Sequence, residues 1–135
     1  MSRPFRFAVQ MHQGTDGPSF VDSAGRIEEL GYDTLHVMDH FGEQLAPVPA
    51  MTAAAVATQR LRVGSLVFDN DYRHPLVLAK ELATLDVLSG GRLEVGIGAG
   101  WMASDYSESG IPHDRAGVRI DRLEEALDVF KGLWG

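Results

Sequence analysis

The chain has 135 residues, 44% hydrophobic and 23% charged, a composition suited to one globular domain with a core of its own. A formal charge of −7, with 12 Lys and Arg against 19 Asp and Glu, argues against a surface for nucleic acid or anionic membrane. The chain has no cysteine, which excludes disulfides, thiolate chemistry and Cys-ligated metals.

No run approaches the roughly 18 apolar residues that a membrane span needs. Arg6 interrupts the apolar stretch that a secretory signal would place near the start, so a cytoplasmic location is the default expectation. The first predicted strand is Phe5 to Met11, alternating Phe5, Phe7, Val9 and Met11 with Arg6, Ala8 and Gln10. Gly14, Gly17 and Pro18 break it, and Ser19 suits the N-cap of a helix. That helix carries Phe20, Val21, Ala24, Ile27 and Leu30 on one face and stops at Gly31. Strand two runs from Tyr32 to Met38 and delivers Asp39-His40. A loop with Gly42, Pro47 and Pro49 leads to an Ala-rich helix at about Ala50 to Gln59, then to strand three, Leu61 to Val67.

After Asp69-Asn70-Asp71 comes Arg73-His74-Pro75, with the proline placed for the first turn of helix three. Leu78, Ala79, Leu82, Leu85 and Leu88 form its expected buried side, and Ser89-Gly90-Gly91 ends it. Leu93 to Ile97 is strand four, and Gly98-Ala99-Gly100 opens a long loop to about Ala116. The last helix shows an apolar stripe at Leu123, Ala126, Leu127, Phe130, Leu133 and Trp134.

Four consecutive βα units imply a parallel sheet with helical crossovers. A sheet covered on both faces reads as continuous apolar runs. Here strand one sends Arg6, Ala8 and Gln10 to one face, and strand four sends Glu94, Gly96 and Gly98 to one face. That favours the lumen of a TIM-type (β/α)8 barrel over an open doubly wound sheet. Since a full barrel runs to about 250 residues, the chain reads as an N-terminal half, residues 1–135. Low in that lumen Arg6 and Glu94 are placed to pair.

The polar and glycine-rich segments follow the strands' C-terminal ends: His12-Gln13, Asp39-His40, Phe68 to Asp71, and Gly98 to Tyr106. Parallel βα folds place their active sites there, because those loops converge. His40 at a strand mouth suits proton exchange near neutral pH; a structural histidine beside a helix-capping aspartate is the bland alternative. Gly98 to Ala103 fits G-x-G-x-x-A, but that signature belongs after a first strand with a helix opening at once. Close approach of a planar ligand, or of neighbouring backbone, explains these glycines better. Trp101 and Tyr106 could line a ring pocket or simply fill space. His12, His36, His40, His74 and His113 have no metal-ligand spacing, so no metal site is expected.

Several segments together resemble the luciferase-like monooxygenase superfamily, especially its coenzyme F420-dependent branch. They are Asp39-His40-Phe41, Arg73-His74-Pro75, the run Ala83-Thr84-Leu85-Asp86-Val87-Leu88-Ser89-Gly90-Gly91-Arg92, Gly96 to Trp101, and Arg122-Leu123-Glu124-Glu125-Ala126-Leu127. The resemblance covers essentially the whole chain. It implies a barrel that holds a deazaflavin (F420) ring, or alternatively FMN, at the strands' C-terminal mouth. It implies a non-proline cis peptide near Leu66-Val67, a ring site drawn from Leu66, Val67, Phe68, Asp69, Asn70, Gly98, Gly100 and Trp101, and His40 as proton acceptor with Asp39 positioning its loop. In sugar-phosphate-oxidising relatives an acidic residue and a tryptophan stand where this chain has Trp101 and Gln44, so that substrate is not implied.

The expected activity is therefore hydride transfer between F420 and a small organic substrate. An FMN-dependent monooxygenase is the alternative within the fold, and a non-catalytic half-barrel that dimerises or docks on a partner is the alternative outside it. Half a barrel leaves two strand edges unpaired, so a homo-oligomer or a complementary half-barrel is the expected partner. A lone 135-residue monomer is expected to bind cofactor poorly, which a thermal-shift titration reads directly.

Overall fold

The computed structural model of the protein describes residues 5–12 and 16–135. Gln13 and Gly14, and the start from residue 1 to residue 4, lie outside the described residues. The strands are β1 (Ala8–Met11), β2 (Thr34–Val37), β3 (Arg62–Ser65), β4 (Phe68–Asp69), β5 (Leu93–Glu94) and β6 (Ile97–Gly98). The helices are α1 (Gly17–Glu29), α2 (Pro47–Ala57), α3 (Pro75–Ser89), α4 (Ala103–Ser109) and α5 (Ala116–Trp134). β1, β2, β3 and β5 form one sheet in chain order, all parallel, and β4 pairs with β6 in a second parallel ladder.

The register explains the alternation. Val9, Leu35, Val63 and Leu93 stand in one cross-strand row against the helices, and Leu35 and Val63 are fully buried there. The next row, Gln10, His36, Gly64 and Glu94, faces the other way and carries the polar groups. Helices α1, α2, α3 and α5 pack on one another in succession, so a single helical layer covers one face of the sheet. Sequential strand order with these four helices on one side is the arrangement of staves in a (β/α)8 barrel; a doubly wound sheet would carry helices on both faces. The fold is four parallel βα units, half of such a barrel.

Glu94 ties the polar face together as expected and goes further. Its carboxylate accepts from Arg6 at 2.6 Å, from Arg62 Nε at 2.7 Å and from Thr34 Oγ1 at 3.2 Å. Burial works against its ionisation, but the hydrogen bonds from Arg6 and Arg62 outweigh that and hold the carboxyl below the ordinary glutamate range. On the helical side Arg92 performs a similar task. Its guanidinium donates to the carbonyls of Ser89 (2.6 Å), Leu61 (2.7 Å) and Ala55 (2.6 Å), joining the ends of α2 and α3 to the start of β3.

Several expected boundaries shift. Strand one is shorter at its start: residues 5–7 lie outside the ladder, and Phe5 and Phe7 are exposed. Helix α1 begins at Gly17 with Pro18 in its first turn, so Ser19 lies inside it and caps nothing. Helix α2 runs from Pro47 to Ala57, earlier at both ends, because Pro47 is itself a good first-turn residue. Leu30 and Leu88 are exposed, each at the last turn of its helix where the core has already been passed. Pro75 and Gly90 bound α3 as expected, Gly90 in the left-handed conformation at φ 69°. Strand four is interrupted between β5 and β6, because the Gly96 carbonyl turns aside to accept from Phe68 N (2.8 Å) and Ser65 Oγ (2.6 Å). A Cβ on Gly96 would strike the Ser65 carbonyl oxygen, so the crossing needs glycine. The loop after Trp101 contains a helix, α4, that the sequence reading left irregular.

Candidate active site

Each βα unit ends its strand at the same rim. Beyond β3 the chain passes through a cis peptide bond between Leu66 and Val67, at the position the resemblance implied, and re-enters a ladder as β4. β4 meets β6 through Phe68 opposite Ile97 and Asp69 opposite Gly98, which brings the Gly98 turn against the end of strand three. Asp39, at the end of β2, closes the third side. Its buried carboxylate accepts the Asp69 backbone N–H at 3.0 Å and two hydrogen bonds from Arg73, one from Nη2 at 2.9 Å. Asp39 thus fastens β2 to β4 and to Arg73, just ahead of α3.

His40 stands beside this junction, with its side chain 21% exposed. Its Nδ1 lies 2.6 Å from Oδ2 of Asp105, and its ring meets Trp101 edge-on at 5.9 Å. Its carbonyl accepts from Gln44 Nε2 at 2.8 Å. Asp105 comes from α4 and is buried; the Tyr72 hydroxyl donates to the same Oδ2 at 2.8 Å. Burial disfavours ionisation of Asp105, yet its hydrogen bonds with His40 and Tyr72 outweigh it and hold the carboxyl below the ordinary aspartate range. Burial, and then the hydrogen bond to Asp105, push the Tyr72 hydroxyl far up, so it stays a donor.

The sequence reading passed over Asp105 and Tyr72. The only signal for α4 was Gly110, which ends it in the left-handed conformation at φ 77°; without an apolar stripe the segment resembled a loop.

The proposed ring-site residues divide by exposure. Leu66 (49%), Val67 (39%) and Trp101 (72%) are open at the rim, as is Phe41, which packs on Tyr72 at 4.4 Å between ring centres. Phe68, Asp69 and Asn70 are buried beneath them. Gly98 has Val67 Cγ2 at 3.0 Å from where its Cβ would sit. At Gly100 (φ 77°) a Cβ would run into the Tyr106 hydroxyl and the Asp69 carboxylate. Tyr106 is fully buried, donates to Asp69 at 3.0 Å and stacks on His113 at 4.3 Å, so it fills the floor of the rim. Burial raises the Asp69 carboxyl above the ordinary range, although the Asp71 N–H and Tyr106 hydroxyl favour its charged form.

Trp101 stands beside the His40 imidazole, and Leu66, Val67 and Phe41 are exposed on the same rim. A separate cleft of about 560 Å³ lies between the start of α3 and α5, lined by Arg73, Asp114 and Arg122 among others. Its cations are already paired, Arg73 with Asp39 and Arg122 with Asp71 and Asp114, so it has little charge to spare for a ligand. Among the described residues no three His, Asp or Glu gather to hold a metal ion, and no helix is long and apolar enough to cross a membrane.

The family model for luciferase-like monooxygenases matches residues 1–135. The chain belongs to the luciferase-like monooxygenase family. Among curated relatives, it is 33% identical over 127 residues to an F420-dependent glucose-6-phosphate dehydrogenase of Amycolatopsis mediterranei, covering 87% of this chain and 38% of that protein. It is 37% identical over 111 residues to a 4-hydroxyprotoasukamycin monooxygenase of Streptomyces nodosus, covering 79% of this chain and 29% of that protein. Among solved structures, the coenzyme F420-dependent tetrahydromethanopterin reductase of Methanopyrus kandleri superposes with a TM-score of 0.73 at 27% identity, over 80% of this chain and 30% of that one. The luciferase-like chain described here therefore spans well under half the length of these relatives. Deazaflavin-dependent and oxygenating enzymes both stand among them.

Proposed function

We propose that this chain carries the proton-transfer half of an F420-dependent oxidoreductase site that moves a hydride between the deazaflavin and a small organic substrate. The observation that carries the reading is His40, held at the rim by Asp105 and flanked by Trp101, with Leu66 and Val67 exposed on the strand-three bulge nearby. When bound, a deazaflavin supplies a two-electron hydride acceptor or donor and no oxygen chemistry. Oxidation of an alcohol then needs one more part, a base for the hydroxyl proton. His40 takes that proton as the carbon–hydrogen bond gives up its hydride, leaving a carbonyl product. Leu66, Val67 and Trp101 would supply apolar walls for the ring, and Phe68, Asp69, Asn70, Gly98 and Gly100 would shape the floor beneath them. Asp39 keeps β2 and β4 together and positions the histidine's loop. The four units act as one side of a closed barrel, completed by further staves from the same polypeptide or from another chain.

Trp101 and Gln44 stand in this rim where sugar-phosphate oxidation would call for other side chains, so these positions do not favour a sugar phosphate as the substrate. A second reading is an FMN-dependent monooxygenase, favoured by the 37% identity to 4-hydroxyprotoasukamycin monooxygenase. Purification of the holoenzyme from a host that makes both cofactors separates the two. Retained deazaflavin supports the first reading; retained FMN with oxygen uptake supports the second and overturns the first. His40→Ala is expected to lower turnover about 10²- to 10⁴-fold while leaving the circular dichroism unchanged, and undiminished turnover would assign the base elsewhere.

A further inference from the structure

We infer that Asp105, braced by Tyr72, is a positioning residue that fixes His40 in one tautomer, with the proton on Nδ1 and the lone pair on Nε2 facing the rim. The inference rests on His40 as the proton acceptor and adds which nitrogen does the work and what holds it ready.

The geometry leaves little freedom. The 2.6 Å separation between His40 Nδ1 and Asp105 Oδ2 requires one proton between them. Asp105 is held ionised, so it brings none, and Tyr72 donates its own proton to the same oxygen. Oδ2 is thus an acceptor from both sides, and Nδ1 must be the donor. Neutral imidazole has only one N–H. With Nδ1 protonated, Nε2 carries the lone pair, and among the described residues no hydrogen bond occupies that atom. Trp101 meets the ring edge-on and Gln44 holds the His40 backbone carbonyl, so ring plane and main chain are both restrained.

The burial of the pair supports a positioning task. Asp105 is 4% exposed, and its helix α4 buries only that aspartate and Tyr106. A carboxylate in such a place costs desolvation unless its partners return the energy. Here the partners are one histidine at the rim and one tyrosine that stays protonated. When Nε2 takes a proton, the imidazolium that forms faces an anion already in place, which favours proton removal from a substrate hydroxyl. A neutral acceptor such as a backbone carbonyl would fix the tautomer but would not offset the charge.

The first test is the ¹⁵N spectrum of the imidazoles of the full chain, with the His40 signals assigned by their loss in His40→Ala. In the neutral imidazole the expected pattern is Nδ1–H with unprotonated Nε2, and in Asp105→Ala the population moves toward Nε2–H. An Nε2–H tautomer in the unsubstituted protein would overturn the inference without touching the cofactor reading. In the holoenzyme, Asp105→Ala should lower kcat about 10²- to 10⁴-fold with little change in KM, and adding His40→Ala should cost almost nothing more. Fully additive losses would show that Asp105 acts on the fold alone. Tyr72→Phe, which removes one hydroxyl and keeps the ring on Phe41, should give a smaller kcat loss in the same direction; a loss equal to that of Asp105→Ala would place the critical contact on the tyrosine and contradict the assignment.

Discussion

Glu94 sits where Arg6 and Arg62 converge, and its carboxylate uses both oxygens as acceptors. Arg6 and Arg62 share Oε1, and Thr34 takes Oε2, with His36 Nε2 at 3.8 Å on the same side. Glu94→Gln leaves two guanidinium groups facing one another, with an expected loss of about 1–2 kcal/mol in urea unfolding. The folded carboxyl titrates below the ordinary value of 4.5, so its stabilisation is complete above that pH and fades as pH falls through the lowered value. The difference between the two proteins should therefore shrink on the acid side; a gap that widened there would contradict the pairing. Residue-scale reading of the sequence reached this pair because alternation alone puts Arg6 and Glu94 on one face. It reached His40 as well, from its place at a strand end. It missed Asp105, since a carboxylate 65 residues away in sequence meets the histidine only through the curl of the sheet.

At the scale of elements, the strands and main helices were legible because each satisfies a local rule. Pro75 and Gly90 bracket α3, and Phe20, Ala24 and Ile27 recur at helical spacing on α1. What escaped were features set by partners distant in sequence. Arg92 belongs in sequence to the turn Ser89-Gly90-Gly91-Arg92 between a helix stop and a strand, yet its side chain serves three carbonyls from α2, α3 and the approach to β3. Glu28 of α1 accepts backbone N–H groups of Arg60 (2.6 Å) and Leu61 (2.8 Å) and anchors the loop into β3. Burial opposes its charge, but those backbone donors prevail and lower its carboxyl below the ordinary range. Arg92→Leu leaves the three carbonyls without their donor, with an expected cost of about 2–4 kcal/mol by denaturant unfolding. Arg92→Lys should recover only a part, because one ammonium cannot span the fork. Equal stability of the lysine variant and the parent would argue that the guanidinium geometry is immaterial. The interruption of strand four had no sequence signal beyond Gly96, because it depends on where Ser65 and Phe68 place their donors.

The whole molecule is a curved half-shell. Its helical face is closed over the core, while the polar face of the sheet stays open, with Ala8 and Gln10 exposed. β1 and β5 form the two edges of the main sheet, and near the β5 edge Val95, Leu133 and Trp134 present apolar surface that further staves would cover. The chain's place among luciferase-like enzymes and the convergence of three strand ends at one rim point to the same working surface, and the cleft between α3 and α5 is its structural rival. A crystal structure of the holoenzyme decides between them. The account predicts the ring at the strands' C-terminal rim, against Leu66 and Val67 with His40 and Trp101 beside it. A cofactor seated instead between α3 and α5, or anywhere out of reach of His40, would contradict it.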